Sequence, residues 1–261
     1  MEKRGQVTVF VIIGIVILTV VILVFALRSK VYVGPANVES LNKEFLDFET
    51  EVGNCLDEIG EDLVKQIGLQ GGYLNSIDGT YRLYEDRKVN YLCYNLEGPI
   101  CMNRMLTKQQ MQDDLEKGLK NKAKEECLDF SKFKKVGLDY NFGSFDVDVE
   151  IGNDNVIMFV KLPIDISKGD VKVSKDEFKT DIDLPLGRLY DASQDILEAE
   201  TSTGFFDSSL YSVHKTGITN KPYVVKKLQP YPDKLYILKI KDVPSVNNEF
   251  LFQFWVQDEE L

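Results

Sequence analysis

The stretch NVESLNKEFLDFETEVGNCLDEIGEDLVKQI, residues 37–67, decides the fold. Its apolar side chains recur at alternating spacings of three and four residues, which is the pattern of a helix that buries one face. Leu56 and Leu63 widen the apolar stripe, so we expect this helix to pack onto a globular domain rather than into a bare coiled-coil seam. Glycines at 68, 71 and 72 supply the backbone that ends a helix. The stripe itself consists of Val38, Leu41, Phe45, Phe48, Val52, Cys55 and Ile59.

An uncharged apolar run, VTVFVIIGIVILTVVILVFAL at residues 7–27, precedes this helix. As a helix it would rise about 31 Å, the thickness of a bilayer core. It therefore predicts a transmembrane helix at 6–30 that contacts the lipid bilayer through residues 7–27, with the C-terminal part extracytoplasmic. The alternative is a cleaved secretory signal, which has a shorter apolar core and a small-residue exit site.

The residues directly before this apolar run resemble those of a known protein family. The sequence Lys3-Arg4-Gly5-Gln6 before an apolar run resembles the class III signal peptide of archaeal type IV pilins and archaellins. The resemblance implies that a prepilin peptidase cuts between Gly5 and Gln6 and removes a basic leader, residues 1–5. An uncleaved signal anchor is the alternative.

A second resemblance covers residues 54–73. Asn54-Cys55-Leu56 and the run Gly68 to Tyr73 are similar to a pattern in single-span surface proteins of small-genome archaea. This resemblance implies a location at the cell surface and carries no activity.

The remaining sequence predicts an α+β fold in two parts. Residues 37–135 form a helical subdomain with a small hairpin, whose second amphipathic helix starts after Thr107 with Gln110 placed for a capping box. Residues 136–261 form a mainly antiparallel β region, crossed by one helix at 186–200. Alternation of apolar and polar residues predicts strands at 81–84, 89–95, 145–151, 156–164, 171–173, 178–184, 223–228, 234–241 and 249–257.

All four cysteines follow the apolar run, and an even number outside the cytoplasm favours disulfides. Cys93 and Cys101 lie symmetrically about Glu97 in a predicted hairpin turn. Cys55 and Cys127 each lie in the apolar stripe of a helix. We therefore favour the pairs 55 with 127 and 93 with 101, with buried free thiols or a metal site as alternatives.

Motifs for catalysis are weak. His214 is the single histidine, and the sequence has no Gly-x-Ser-x-Gly nucleophile motif that it could act with. We therefore expect no catalytic residue, cofactor or metal. Asp146 with Asp148, and Asp181 with Asp183, place paired carboxylates on one strand face. Such pairs are typical of a solvated face, with weak Ca²⁺ binding as the alternative.

The formal net charge of −11 makes nucleic acid an unsuitable partner. The sequence as a whole predicts a membrane-anchored, pilin-like surface protein with a structural, assembly or adhesion role, whose partners are further copies or other envelope proteins. The alternatives are a signal-anchored binding module for a surface ligand and an extracytoplasmic hydrolase.

Overall fold

A computed structural model gives the fold as α+β. Three helices are seen among the described residues: α1 (Val38–Leu69), α2 (Lys108–Glu126) and α3 (Leu186–Thr203). The structure describes residues 17–18, 38–95, 101–128, 138–209, 211, 223–241 and 249–258. Its strands are β1 (Tyr81–Tyr84), β2 (Arg87–Tyr94), β3 (Met102–Asn103), β4 (Asp139–Phe142), β5 (Asp146–Ile151), β6 (Val156–Lys168), β7 (Val171–Ile182), β8 (Tyr223–Leu228), β9 (Lys234–Lys241) and β10 (Glu249–Val256).

The expected fold class is wrong in one respect, the transmembrane helix. Among the described residues no helix is both long enough and apolar enough to cross a membrane. The physical reason is that α1, α2 and α3 are amphipathic, with charged side chains along the face that is turned away from the core. Apart from Ile17 and Leu18, the run at 7–27 lies outside the described residues.

The larger sheet has the strand order β1-β2-β10-β9-β8, and β3 pairs with β2. Strands β8, β9 and β10 pair antiparallel in chain order, which agrees with the mainly antiparallel region that the sequence predicted. The pairing of β2 with β10 is parallel and brings Tyr91 opposite Trp255. The larger sheet therefore combines strands from both sides of the predicted boundary at residue 135.

The smaller sheet is organised around β6, which pairs antiparallel with β7 along nearly its whole length. Strands β5 and β4 follow one another along the other edge of β6. The register between β6 and β7 shifts between Lys161 and Ile164, where Pro163 has no N–H to give to the ladder. The Pro163 carbonyl instead accepts a 2.7 Å hydrogen bond from the Gly143 N–H.

Helix α1 contacts both sheets. At its middle, Gly60 lies against the side chains of Met158 and Ile182 in the smaller sheet. At its C-terminal end, Gly68 lies against the carbonyl of Leu251 and the ring of Phe250 in the larger sheet. Both sheets therefore bury one face against the same helical stripe, whose side chains Leu41, Phe48, Val52, Leu56, Leu63 and Ile67 are buried.

The aromatic residues of β10 occupy both faces of the larger sheet. Phe250, Phe252 and Phe254 are buried in the main core. Trp255 belongs to a smaller cluster on the opposite face, where the Arg82 guanidinium lies 4.9 Å from its ring centre.

The close approach of α1 to β10 gives a prediction for Gly68→Ala. A Cβ at this position would lie 2.4 Å from the Leu251 carbonyl oxygen, so helix and strand must separate. We expect this substitution to lower the free energy of unfolding by about 1–3 kcal/mol, measured by urea unfolding. Gly53→Ala in the same helix is the matched control, since nothing lies within 4 Å of its added Cβ. It should raise stability by about 0.5–1 kcal/mol. A loss of stability in both variants, or in neither, would contradict the packing argument.

Helix α2 begins with the predicted capping box, and this prediction is confirmed. The Thr107 hydroxyl accepts a 3.2 Å hydrogen bond from the Gln110 N–H. In return, the Gln110 side-chain oxygen accepts a 2.9 Å bond from the Thr107 N–H. Two of the unpaired donors of the first turn are thereby satisfied.

Thr107→Ala should consequently destabilise the protein by about 1 kcal/mol in urea unfolding. Thr50→Ala is the comparison, because exposed Thr50 lies inside α1 and its hydroxyl bonds back to the Leu46 carbonyl. Alanine favours a helix interior, so this second variant should be neutral or slightly stabilising. Equal losses from the two variants would show that the cap is not the cause.

Candidate functional site

A cavity of about 370 Å³ lies at the C-terminal end of α3. Its wall combines the last turn of this helix with Lys234 at the start of β9 and Asp258 just after β10. Asn95 and Cys101, which follow β2 and precede β3, line it as well. The cavity is therefore built where α3 packs against the larger sheet.

Two opposite charges reach this cavity from positions that face the core. In α3, Glu200 continues the buried stripe of Leu189 and Ile196 and is itself only 4% exposed. In β9, Lys234 lies on the same strand face as Tyr236 and is 5% exposed. Packing of α3 on the sheet thus brings an acid and a base together inside the protein.

Lys234 makes three contacts at its ammonium group. Its Nζ donates 2.9 Å hydrogen bonds to Glu200 Oε2 and to the Gly204 carbonyl. It also lies 3.2 Å from Asp258 Oδ1. Since an ammonium has three N–H donors, these acceptors use the full set.

Glu200 is held by more than Lys234. The Tyr236 hydroxyl donates to Glu200 Oε1. Lys227 Nζ lies 3.8 Å from the same oxygen. The carboxylate is therefore compensated on both oxygens, which is the condition for burying a charge.

The protonation states follow from these contacts. Burial by itself lowers the pKa of Lys234, but the hydrogen bonds and charges of Glu200 and Asp258 outweigh it, so this pKa lies above its ordinary value. Burial, together with the hydrogen bond to Glu200, raises the pKa of Tyr236 far above its ordinary value. At neutral pH the lysine is therefore an ammonium and the tyrosine a neutral donor.

The end of α3 adds hydrogen-bond acceptors to the cavity. Gly204 takes a left-handed conformation with φ of 68°, and its N–H donates to the Glu200 carbonyl at 3.0 Å. The side-chain hydroxyls of Thr201, Ser202 and Thr203 donate to carbonyls one turn back. Within the described residues, the carbonyls of these three positions receive no hydrogen bond. The negative end of the helix dipole therefore lies at the cavity wall.

Asn95 completes the polar wall on the side of β2. Its N–H donates a 2.8 Å hydrogen bond to Gln257 Oε1. Its Oδ1 atom is buried and has no hydrogen-bond partner in the part of the chain that the structure describes. Cys101 is disulfide-bonded to Cys93 with 5.1 Å between the Cα atoms, which ties β2 to the residue before β3.

The prediction of disulfides is confirmed. The structure also joins Cys55 to Cys127, with 5.7 Å between the Cα atoms, so both pairs are those that the sequence favoured. This second disulfide links the middle of α1 to the C-terminal end of α2. The predicted processing residues Gly5 and Gln6, and His214, lie outside the described residues.

The carboxylate pairs of the strands are not brought together into one site. Asp146 and Asp148 are exposed on β5, and Asp146 is bonded to Lys120. Asp181 is exposed on β7 and accepts a 2.7 Å hydrogen bond from Asn155. Among the described residues, no group of three or more His, Cys, Asp or Glu side chains is placed to hold a metal ion.

Sequence reasoning missed Glu200, Lys234 and Tyr236. A signal for them exists: Glu200 stands four residues after Ile196 on the apolar stripe of α3, and Lys234 directly precedes the apolar run at 235–238. A charge at a core position of a helix, matched by an opposite charge at a core position of a strand, indicates a buried ion pair.

In comparisons with known proteins, no family model, no curated protein and no solved structure matches this chain.

Proposed function

We propose that this protein works outside the cytoplasm as a pilin-like surface protein with a structural, assembly or adhesion role. The observation that carries the proposal is the pairing of all four cysteines into two disulfides. Disulfides persist in oxidising compartments and are rare where thioredoxin and glutathione keep thiols reduced.

The position of the Cys55–Cys127 disulfide supports a mechanical role. It cross-links α1 and α2, while α1 also contacts both sheets through Gly60 and Gly68. The folded domain is therefore covalently cross-linked at α1, the helix on which both sheets pack. A cross-link at this position restricts the unfolded chain and thereby stabilises the folded domain.

Thiol alkylation of the protein from its native cells tests the compartment. Unfolded, unreduced protein should take up no alkylating reagent, and the same sample after reduction should take up four equivalents, counted by mass spectrometry. Four alkylated cysteines before reduction would overturn the extracytoplasmic role.

The pilin-like part of the proposal is tested at the native N-terminus. We expect mass spectrometry to find Gln6 as the first residue, and a Gly5→Ile variant to retain its leader. An intact Met1 or Glu2 in the native protein would overturn cleavage by a prepilin peptidase while leaving the disulfide evidence untouched.

A second candidate function, a binding module for a surface ligand, is favoured by the cavity at the end of α3. Its volume of about 370 Å³ falls in the range of small-molecule sites, and it is lined by charged and polar groups that other parts of the fold hold in place.

A further inference from the structure

We propose that the cavity at the end of α3 binds a neutral sugar, a single ring that carries several hydroxyl groups. The inference rests on the second candidate function, the binding module, and names the chemical class of its ligand. Three features of the cavity carry it: the balance of charge in its wall, the hydrogen-bonding groups that the protein leaves unpaired there, and its size.

The charges at the cavity compensate one another. Lys234 Nζ lies 2.9 Å from Glu200 Oε2 and 3.2 Å from Asp258 Oδ1. Lys227 Nζ lies 3.8 Å from the other oxygen of Glu200. The second oxygen of Asp258 accepts a 3.4 Å hydrogen bond from Gln229. Two carboxylates thus face two ammonium groups, so a charged ligand would lose its hydration without finding an uncompensated opposite charge.

Three neutral acceptors belong to residues that line the cavity. The carbonyls of Thr201, Ser202 and Thr203 receive no hydrogen bond from the residues that the structure describes. Because a carbonyl only accepts, a ligand that pairs with these groups must carry donors. An apolar ligand would displace the water around them and leave them without partners, which costs free energy.

Asn95 adds a side-chain amide to the cavity wall. Its backbone N–H is bonded to Gln257, but its Oδ1 atom has no hydrogen-bond partner within the described part of the chain. A side-chain amide both donates and accepts, and a hydroxyl group does the same. A ring with several hydroxyls can therefore donate to the carbonyls of α3 and pair with the amide through either of its polar atoms.

The size of the cavity limits the ligand. A volume of about 370 Å³ is near the lower bound for small-molecule sites, so it takes one sugar ring with its hydroxyl groups rather than several linked rings. Two sources share this chemistry: a free monosaccharide, and the terminal unit of a glycan chain.

Ligand-observed NMR titration of the disulfide-bonded protein tests the proposal. The neutral probes are the methyl glycosides of glucose, galactose, mannose and N-acetylglucosamine, and the comparison probes are glucosamine, glucuronate and cyclohexanol. We expect at least one neutral sugar to bind, with the comparison probes at least fivefold weaker and no change as sodium chloride rises. For a sugar that binds, a methyl glycoside weaker than the free sugar indicates a free monosaccharide, and otherwise the source is a chain end.

Two variants locate the site. Asn95→Leu removes the amide at a similar side-chain volume and should weaken sugar binding at least fivefold. Ser202→Phe should block the cavity, since Ser202 lines it and is exposed. Asn54→Leu is the matched control: it makes the same replacement at an exposed position of α1 and should leave binding unchanged. Unchanged binding in folded Asn95→Leu and Ser202→Phe would overturn the assignment.

The outcomes separate the ligand class from the binding module. A charged probe or cyclohexanol that binds as tightly as the sugars, and is lost in Ser202→Phe, would keep the module and overturn the ligand class. No binding by any probe would overturn both. The extracytoplasmic role is tested independently by thiol alkylation.

Discussion

Replacing both Cys55 and Cys127 by alanine is expected to lower the free energy of unfolding by about 4 kcal/mol. The two residues are separated by 72 positions, so their disulfide closes a long loop in the unfolded chain. Without the cross-link, the unfolded chain gains the conformations that closing this loop had excluded. Chemical unfolding monitored by circular dichroism measures the loss.

The other disulfide supplies the matched comparison. Cys93 and Cys101 are separated by 8 positions, so replacing both by alanine should cost about 2 kcal/mol less than removing the long-range disulfide. A variant that lacks both disulfides should not respond to dithiothreitol, which controls for effects of the reductant itself. A larger loss from the short loop than from the long one would contradict loop closure as the cause.

Replacing Lys234 by methionine is expected to destabilise the protein by about 3 kcal/mol. Glu200 would keep its charge with 1% of its side chain exposed and would lose its closest cation. Methionine fills much of the volume of the lysine stem, so the cost comes from the uncompensated carboxylate rather than from an empty space. Urea unfolding at neutral pH measures it.

Lys239→Met is the control on the same strand. Lys239 pairs with Glu249 at 3.0 Å, but the two side chains are 29% and 45% exposed, so its loss should cost no more than about 1 kcal/mol. Adding Glu200→Gln to Lys234→Met should restore at least half of the loss, because the buried charge is removed while an acceptor for Tyr236 remains. No recovery in this double variant would refute the electrostatic explanation.

The sequence predicted the elements whose signals are local. The capping box at Thr107 and the alternation along β5 each fit within a few residues, and the structure confirms both. The stripe of α1 is similarly readable, because the same face of one helix stays apolar from Leu41 to Ile67.

Signals that depend on distant residues were not readable in this way. Strand β7 was predicted as two pieces because polar side chains occupy residues 174–177. In the structure the strand is continuous: Lys175 is intermediate and Glu177 is exposed, and both pair with β6, on either side of the register shift. The parallel pairing of β2 with β10 joins residues more than a hundred positions apart, and neither strand carries a local mark of its partner.

The candidate site was not predicted for a related reason. Neither Glu200 nor Lys234 indicates a site by itself. They form an ion pair only when α3 packs on β9. The cysteines were easier, since their number and their places on helical stripes and a predicted hairpin carried the expectation of disulfides.

The place of β10 within the larger sheet fixes the order in which the chain matures. This strand lies between β2 and β9, so the hairpin of β1 and β2, together with the short β3 that pairs with it, is joined to β8 and β9 only after residues 249–256 have been synthesised. A ribosome or a translocation channel releases the chain from its N-terminal end. The early hairpin must therefore wait, with an open edge at β2, for a strand that emerges more than a hundred and fifty residues later. Any nascent form that stops before β10 leaves that edge of β2 unpaired and able to pair with neighbouring chains.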